Sequence, residues 1–184
     1  MSLIEIKMAM DSFFAMDFLQ VGVIALFILG GIYLLLKMQE RKYGYQCSKT
    51  KMVCAVLLAV YVAFLIGGTV FNRGVGKEPR AELIPFWSYI QLFREKNLNL
   101  LRQMISNVLV FIPWPILFAT VFPRMRRIWC AVGSAFVFSA LVETLQLVFQ
   151  IGLFEFDDMF HNTLGALIGY GILIVFAKLR KKGK

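Results

Sequence analysis

Residues 139–170 read SALVETLQLVFQIGLFEFDDMFHNTLGALIGY, and this stretch decides how the chain folds. Two apolar segments flank a short acidic connector. The first segment carries Glu143 and Gln146 three residues apart, which places both side chains on one face of a helix. If these segments cross a bilayer, burial of the Glu143 carboxylate costs about 3 kcal/mol or more, so this residue is a candidate functional residue by default.

The composition of the 184-residue chain is that of an integral membrane protein. Hydrophobic residues make up 59% of the chain and aromatic residues 15%, and the mean hydropathy is +0.72. Several apolar runs reach the length of about 18 residues that a membrane-crossing helix needs. The sequence contains no zinc-ligand spacing, Walker loop, GxSxG element or dinucleotide fingerprint, which argues against the common soluble enzyme classes.

We expect an all-α fold, a polytopic bundle of five transmembrane helices and one interfacial helix that forms a single membrane domain over residues 1–184. Pro113 and Pro115 predict a bend in the third span, because proline removes a backbone donor from a helix. The expected spans are about 18–36, 52–71, 102–122, 128–150 and 159–177.

An aromatic block after the second span predicts the interfacial or re-entrant helix, over about residues 85–96. Its apolar side chains recur at i, i+3, i+4 and i+7, the spacing of one helical face. They are Phe86, Tyr89, Ile90 and Phe93. Tryptophan and tyrosine rings prefer the membrane interface, so this helix is expected to lie on or dip into it.

The distribution of basic residues predicts a bacterial plasma-membrane protein with its N-terminus outside and its C-terminus in the cytoplasm. With that orientation, thirteen of the twenty Lys and Arg residues lie in cytoplasmic segments and seven on the exterior side. This is the asymmetry that orients membrane proteins. The net charge of +9 is therefore explained by orientation, and no nucleic-acid partner is expected.

The polar residues of several spans fall at one depth. Glu143 lies seven residues before the end of its span, which is about 10 Å below the exterior surface, and Asn107 lies at about 7 Å, with residues 161–163 a comparable distance into the fifth span. We therefore expect an outward-facing pocket for a polar head group, a phosphate or a cation. Its candidate ligand-binding residues are Arg73, Asn107, Glu143, Gln146, Asp157, Asp158, His161 and Asn162.

Structural interpretations of the same residues stay open. Glu143 and Gln146 could be hydrogen-bonding glue between helices. Asp157 and Asp158 could cap the start of the fifth span, where acids suit the helix dipole. His161 with nearby acids is too small a set to predict a metal, so neither a metal nor a cofactor is expected.

Four motifs in order resemble the VanZ-like family of small bacterial membrane proteins, over roughly residues 73–175. The first is a LIPF element at residues 83–86, and the second is Asn107 with Phe111 and Pro113. The others are E-x-x-Q at residues 143–146 and D-x-x-x-N-T-x-G at residues 158–165. The resemblance implies a polytopic plasma-membrane protein that lowers susceptibility to teicoplanin-type antibiotics.

Three functional hypotheses follow. The first is a binding protein for a membrane lipid head group, a lipid-linked cell-wall precursor or an acylated glycopeptide antibiotic. The second is an intramembrane enzyme that acts on a lipid phosphate or glycolipid, with Glu143 and Asp158 as catalytic acid and base. The third is a small transporter or scaffold. Binding is favoured because no Ser, Cys or Lys lies beside a base in the polar layer. The oligomeric state stays open.

Overall fold

The computed structural model describes residues 18–44, 48–71 and 80–182 of the chain. It divides into two compact units, Met1–Val75 and Gly76–Lys184. The single membrane domain over residues 1–184 stays a prediction. Within the described residues, five helices are long and apolar enough to cross a membrane, which confirms the all-α polytopic fold. These spans are Gln20–Tyr43, Lys49–Thr69, Leu98–Val121, Ile128–Phe149 and Phe156–Leu179.

The described residues of the first unit, 18–44 and 48–71, form two helices, α1 (Phe18–Tyr43) and α2 (Lys49–Ile66), and a π-helical turn over Gly67–Phe71 follows α2. The Ser48 hydroxyl caps α2 by accepting a hydrogen bond from the backbone N–H of Lys51 at 3.3 Å. Small residues recur at every fourth position of α2, and α1 packs against this helix. Small side chains let two membrane helices approach closely, so this pair is held by packing.

Over its described residues, 80–182, the second unit contains five helices and two short strands. In chain order they are β1 (Arg80–Glu82), α3 (Trp87–Glu95), α4 (Leu98–Phe111), α5 (Pro113–Val121), α6 (Ile128–Phe149), β2 (Leu153–Glu155) and α7 (Phe156–Lys182), with a 3₁₀ turn over Pro123–Met125 between α5 and α6.

The third span consists of two helices, α4 and α5, which meet at Ile112. The backbone N–H of Ile112 bonds to the carbonyl of Leu109 at 3.3 Å, and Pro113 begins the next helix. The third span is therefore interrupted directly before Pro113, at the prolines from which the bend is predicted.

The helix α7 packs backbone to backbone on the third span. A Cβ built on Gly165 would clash with the carbonyl oxygen of Val108 and lie 2.9 Å from its carbonyl carbon, and one built on Gly169 would meet Ile112 in the same way. The two contacts are four residues apart on both elements, so α7 runs parallel to α4 at this contact. Only glycine permits so close an approach.

The strands β1 and β2 pair in parallel, with Ala81 opposite Phe154 and Glu82 opposite Glu155. They join the connector before α3 to the connector before α7. The sequence analysis missed this pair because three residues are too few for an alternating pattern. Its consequence is that β1, α3 and β2 lie together at the end of the unit where α7 begins.

Candidate functional site

Glu143 anchors the chain that leads into α7. Its side chain is buried, and its Oε2 accepts a hydrogen bond from the backbone N–H of Glu155 at 3.0 Å. The Glu155 carboxylate in turn accepts a bond from Nε2 of Gln103 at 2.9 Å, which ties β2 to α4. The helix α6 ends with Gln150 in the left-handed conformation, at a φ of 56°, and the chain then turns back along α6. This Glu143 bond ties the connector strand β2 to α6; its partner does not belong to another helix, so hydrogen-bonding glue between helices stays a prediction.

Asp157 holds the start of α3. Its Oδ1 accepts a bond from the backbone N–H of Phe86 at 2.6 Å, and its Oδ2 accepts one from Ser88 at 2.8 Å. These N–H groups belong to the start of α3, where Phe86 has a φ of 63° and supplies no side-chain cap. Capping was expected at the start of α7, but these two bonds cap a different helix, about 70 residues earlier in the chain. A carboxylate also suits the positive end of the α3 dipole.

A second contact joins α3 to α7. The Tyr89 hydroxyl lies 2.9 Å from Nε2 of His161, and the two rings are 5.5 Å apart. Burial raises the pKa of the Tyr89 phenol, and the negative charge of Asp157 raises it further. The phenol therefore stays protonated at neutral pH. Phe86 and Phe160 complete an aromatic cluster, with their ring centroids 5.6 Å apart.

Asn162 lies between α4 and α6. It shares a face of α7 with Gly165 and Gly169, the residues that contact the third span, because the three positions are spaced at i, i+3 and i+7. Its Nδ2 donates to the Ser139 hydroxyl of α6 at 2.8 Å. Both side chains are buried. Asn162 therefore contacts α6 through its side chain, and it lies on the face of α7 that packs against α4.

Three buried side-chain atoms have no hydrogen-bond partner in the part of the chain that the structure describes. They are Nδ2 of Asn107, Nδ1 of His161 and Oδ1 of Asn162. All three belong to residues that the sequence analysis selected as ligand-binding. Asn107 directly precedes Val108, which contacts Gly165, so Asn107 and Asn162 differ by only about 3 Å in level along the helices.

Three predicted site residues remain, namely Gln146, Asp158 and Arg73. Gln146 is buried on the same face as Glu143, and Asp158 is half-buried. Arg73 lies outside the described residues. Within residues 18–44, 48–71 and 80–182, no group of three or more His, Cys, Asp or Glu side chains could hold a metal ion.

Sequence reasoning missed several residues of this region. The helical spacing places Tyr89 on an interfacial face and does not predict its contact with His161. Ser139 lies four residues before Glu143, and this i, i+4 spacing places both on one face, but Ser139 was not selected as a site residue. Gln103, Ser88 and the backbone of Phe86 could not be found from spacing, since their partners lie at least 52 residues away.

Five apolar helices of membrane-spanning length in the described residues define a polytopic membrane protein, and the second unit buries acids, amides and a histidine among its own helices. The VanZ/LLP1 family model matches residues 52–177. Protein VanZ of Enterococcus faecium is 30% identical over 133 residues, which cover 66% of this chain and 76% of that protein. The chain belongs to the VanZ/LLP1 family, as its motifs predicted. No solved structure matches it significantly.

Proposed function

We propose that this VanZ-family protein binds the polar part of an amphiphile between α3, α4, α6 and α7, and so lowers susceptibility to teicoplanin-type antibiotics. The amphiphile is a membrane lipid, a lipid-linked cell-wall precursor or the acylated antibiotic itself. The observation that carries the proposal is the set of three unpartnered buried atoms, on Asn107, His161 and Asn162.

The unpartnered atoms carry an energetic cost. A buried polar atom without a hydrogen-bond partner costs about 1–3 kcal/mol, and native proteins leave few such atoms unless a water, ion or ligand completes the bond. His161 is only 2% exposed and Asn162 only 8%, so groups at the protein surface do not reach these atoms. A bound polar group that reaches these atoms would recover that free energy.

The position of the site favours access beside α3. Asp157 and Tyr89 connect α3 to α7, and α3 also carries exposed apolar side chains, with Phe93 80% exposed. An amphipathic helix of this kind lies in the membrane interface. We propose that it covers the head group while the acyl chain stays in the bilayer.

We also propose that this end of the bundle faces outward, with the N-terminus outside and the C-terminus in the cytoplasm. The turn after α5 carries the exposed Arg124, Arg126 and Arg127, and the Tyr170 hydroxyl donates to the backbone carbonyl of Arg126 at 3.0 Å. That turn lies at the opposite end of the bundle from α3. Basic loops favour the cytoplasmic side, which leaves α3 and the site on the side where acylated glycopeptides act.

The test is protection of a teicoplanin-susceptible Gram-positive host. The chain and two variants, Asn107→Leu and Asn99→Leu, are expressed with a tag that reports the amount in the membrane. Nδ2 of Asn107 has no hydrogen-bond partner among the described residues, and Asn99 is an exposed residue of the same helix, so Asn99→Leu is the matched control. We expect the wild type and Asn99→Leu to raise the minimum inhibitory concentration and Asn107→Leu to lose that effect at equal membrane levels. Full protection by Asn107→Leu would contradict the proposal.

A further inference from the structure

We infer that the site takes an uncharged head group that both donates and accepts hydrogen bonds, a sugar hydroxyl or amide, in preference to a phosphate or an ammonium group. This inference rests on the proposed function and specifies the ligand class of the same site.

The unpartnered atoms include both a hydrogen-bond donor and a hydrogen-bond acceptor. Nδ2 of Asn107 is a donor and Oδ1 of Asn162 is an acceptor, so a partner for both must accept one bond and donate another. A hydroxyl or an amide does both. A phosphate dianion only accepts, and an ammonium group only donates.

His161 adds an adaptable third position. If the Tyr89 hydroxyl donates to Nε2, the proton of the neutral imidazole is on Nδ1, which is then an unpaired donor. If Nε2 donates to Tyr89, Nδ1 is an unpaired acceptor. A ligand hydroxyl satisfies Nδ1 in either tautomer, whereas a group that only accepts or only donates satisfies one.

The charged side chains near the site also disfavour a phosphate. Two carboxylates, Glu143 and Asp157, are buried in the same unit, on the helices that carry the site. None of the buried side chains in the described part of the chain is a Lys or an Arg. A buried anion needs a paired cation, so a phosphate at these positions would meet the repulsion of the two carboxylates with no buried cation from the described residues to offset it.

A cationic head group is disfavoured by the use of those same carboxylates. Both oxygens of Asp157 accept backbone N–H bonds from the start of α3, and Oε2 of Glu143 accepts one from Glu155. An ammonium group would have to compete for lone pairs that already hold α3 and β2. The unpartnered amide atoms involve no such competition.

Several sources could supply this chemistry, including a membrane glycolipid, a lipid-linked wall precursor and the sugars of a glycopeptide. The test uses the full-length protein in nanodiscs. Binding of glucosyl diacylglycerol, of phosphatidic acid with the same acyl chains, and of free glucose is measured by native mass spectrometry. The proteins are the wild type, Asn107→Leu and the control Asn99→Leu. Asn107→Ala covers the case in which leucine disturbs packing.

We expect glucosyl diacylglycerol to bind the wild type and Asn99→Leu at least tenfold more tightly than Asn107→Leu or Asn107→Ala. Phosphatidic acid should bind all four proteins equally and weakly. Free glucose that binds as tightly as the glycolipid would identify a soluble sugar as the source, with the uncharged class retained. Phosphatidic acid binding that is lost in the Asn107 variants, with no effect on the glycolipid, overturns the uncharged class but leaves the proposed function standing. If the Asn107 variants bind each probe as the wild type does, or if no probe binds, the uncharged class at this site is overturned; the proposed function is decided separately by the protection test with Asn107→Leu.

Discussion

Replacement of Gly165 by alanine should separate α7 from the third span. The new Cβ would clash with the carbonyl oxygen of Val108, and this atom belongs to a helix backbone, which cannot rotate away as a side chain can. Overpacking of this kind costs about 1–3 kcal/mol. Alanine also favours the helix over glycine by about 1 kcal/mol, which opposes that cost. The net result expected for Gly165→Ala is a loss of about 0–2 kcal/mol, and Gly169→Ala should behave in the same way.

The same helix supplies a matched control. Gly171 has no atom within 4 Å of the position that its Cβ would take, so Gly171→Ala should only gain the helix propensity of about 1 kcal/mol. The assay is thermal unfolding of the purified protein in one detergent, followed by tryptophan fluorescence. For a chain of this size, about 1 kcal/mol corresponds to about 2–4 °C. Gly165→Ala should therefore unfold several degrees below Gly171→Ala. Equal unfolding temperatures for these two variants would refute the backbone-to-backbone contact.

Three further predictions concern single contacts. Asp157→Ala leaves two backbone N–H groups at the start of α3 without an acceptor, which costs about 2 kcal/mol. Hydrogen exchange in α3 should therefore rise about 30-fold. Asp157→Asn keeps one carbonyl acceptor and should show a smaller rise, and unchanged exchange in both variants would contradict the cap. Glu143→Leu removes the acceptor for the β2 backbone and should loosen β2 in the same experiment, whereas Glu143→Gln keeps an oxygen acceptor and should not; equal exchange in the two variants would exclude this role. Ser134→Ala removes the acceptor that lies 2.9 Å from Nε1 of Trp114 and should lower stability by about 1 kcal/mol; a chemical denaturation midpoint identical to that of the wild type would show that the bond contributes nothing.

The membrane spans were predictable because each is a long apolar run between polar segments. The predicted fourth span, 128–150, differs from the helix Ile128–Phe149 by one residue. The predicted fifth span began at residue 159, three residues late, because Asp157 and Asp158 resembled a connector. Acidic residues suit the first turn of a helix, which is where the structure places them.

The polar site was predictable in composition but not in its pairing. Asn107, His161 and Asn162 were selected because polar groups are rare inside membrane helices. The partner of Asp157 was not predictable, since the start of α3 is 69 residues away from it and no local spacing encodes such a contact. Likewise, the left-handed conformation of Phe86 is uncommon for a large aromatic residue, and nothing in the LIPF element predicts it.

The most direct test of the central claim is an experimental structure of the protein purified with its native membrane lipids. We expect ordered density for a lipid head group that bridges Nδ2 of Asn107 and Oδ1 of Asn162 and contacts Nδ1 of His161. A closed interior in which those atoms bond only to one another or to water, with every bound lipid elsewhere on the protein, would contradict the proposed binding site.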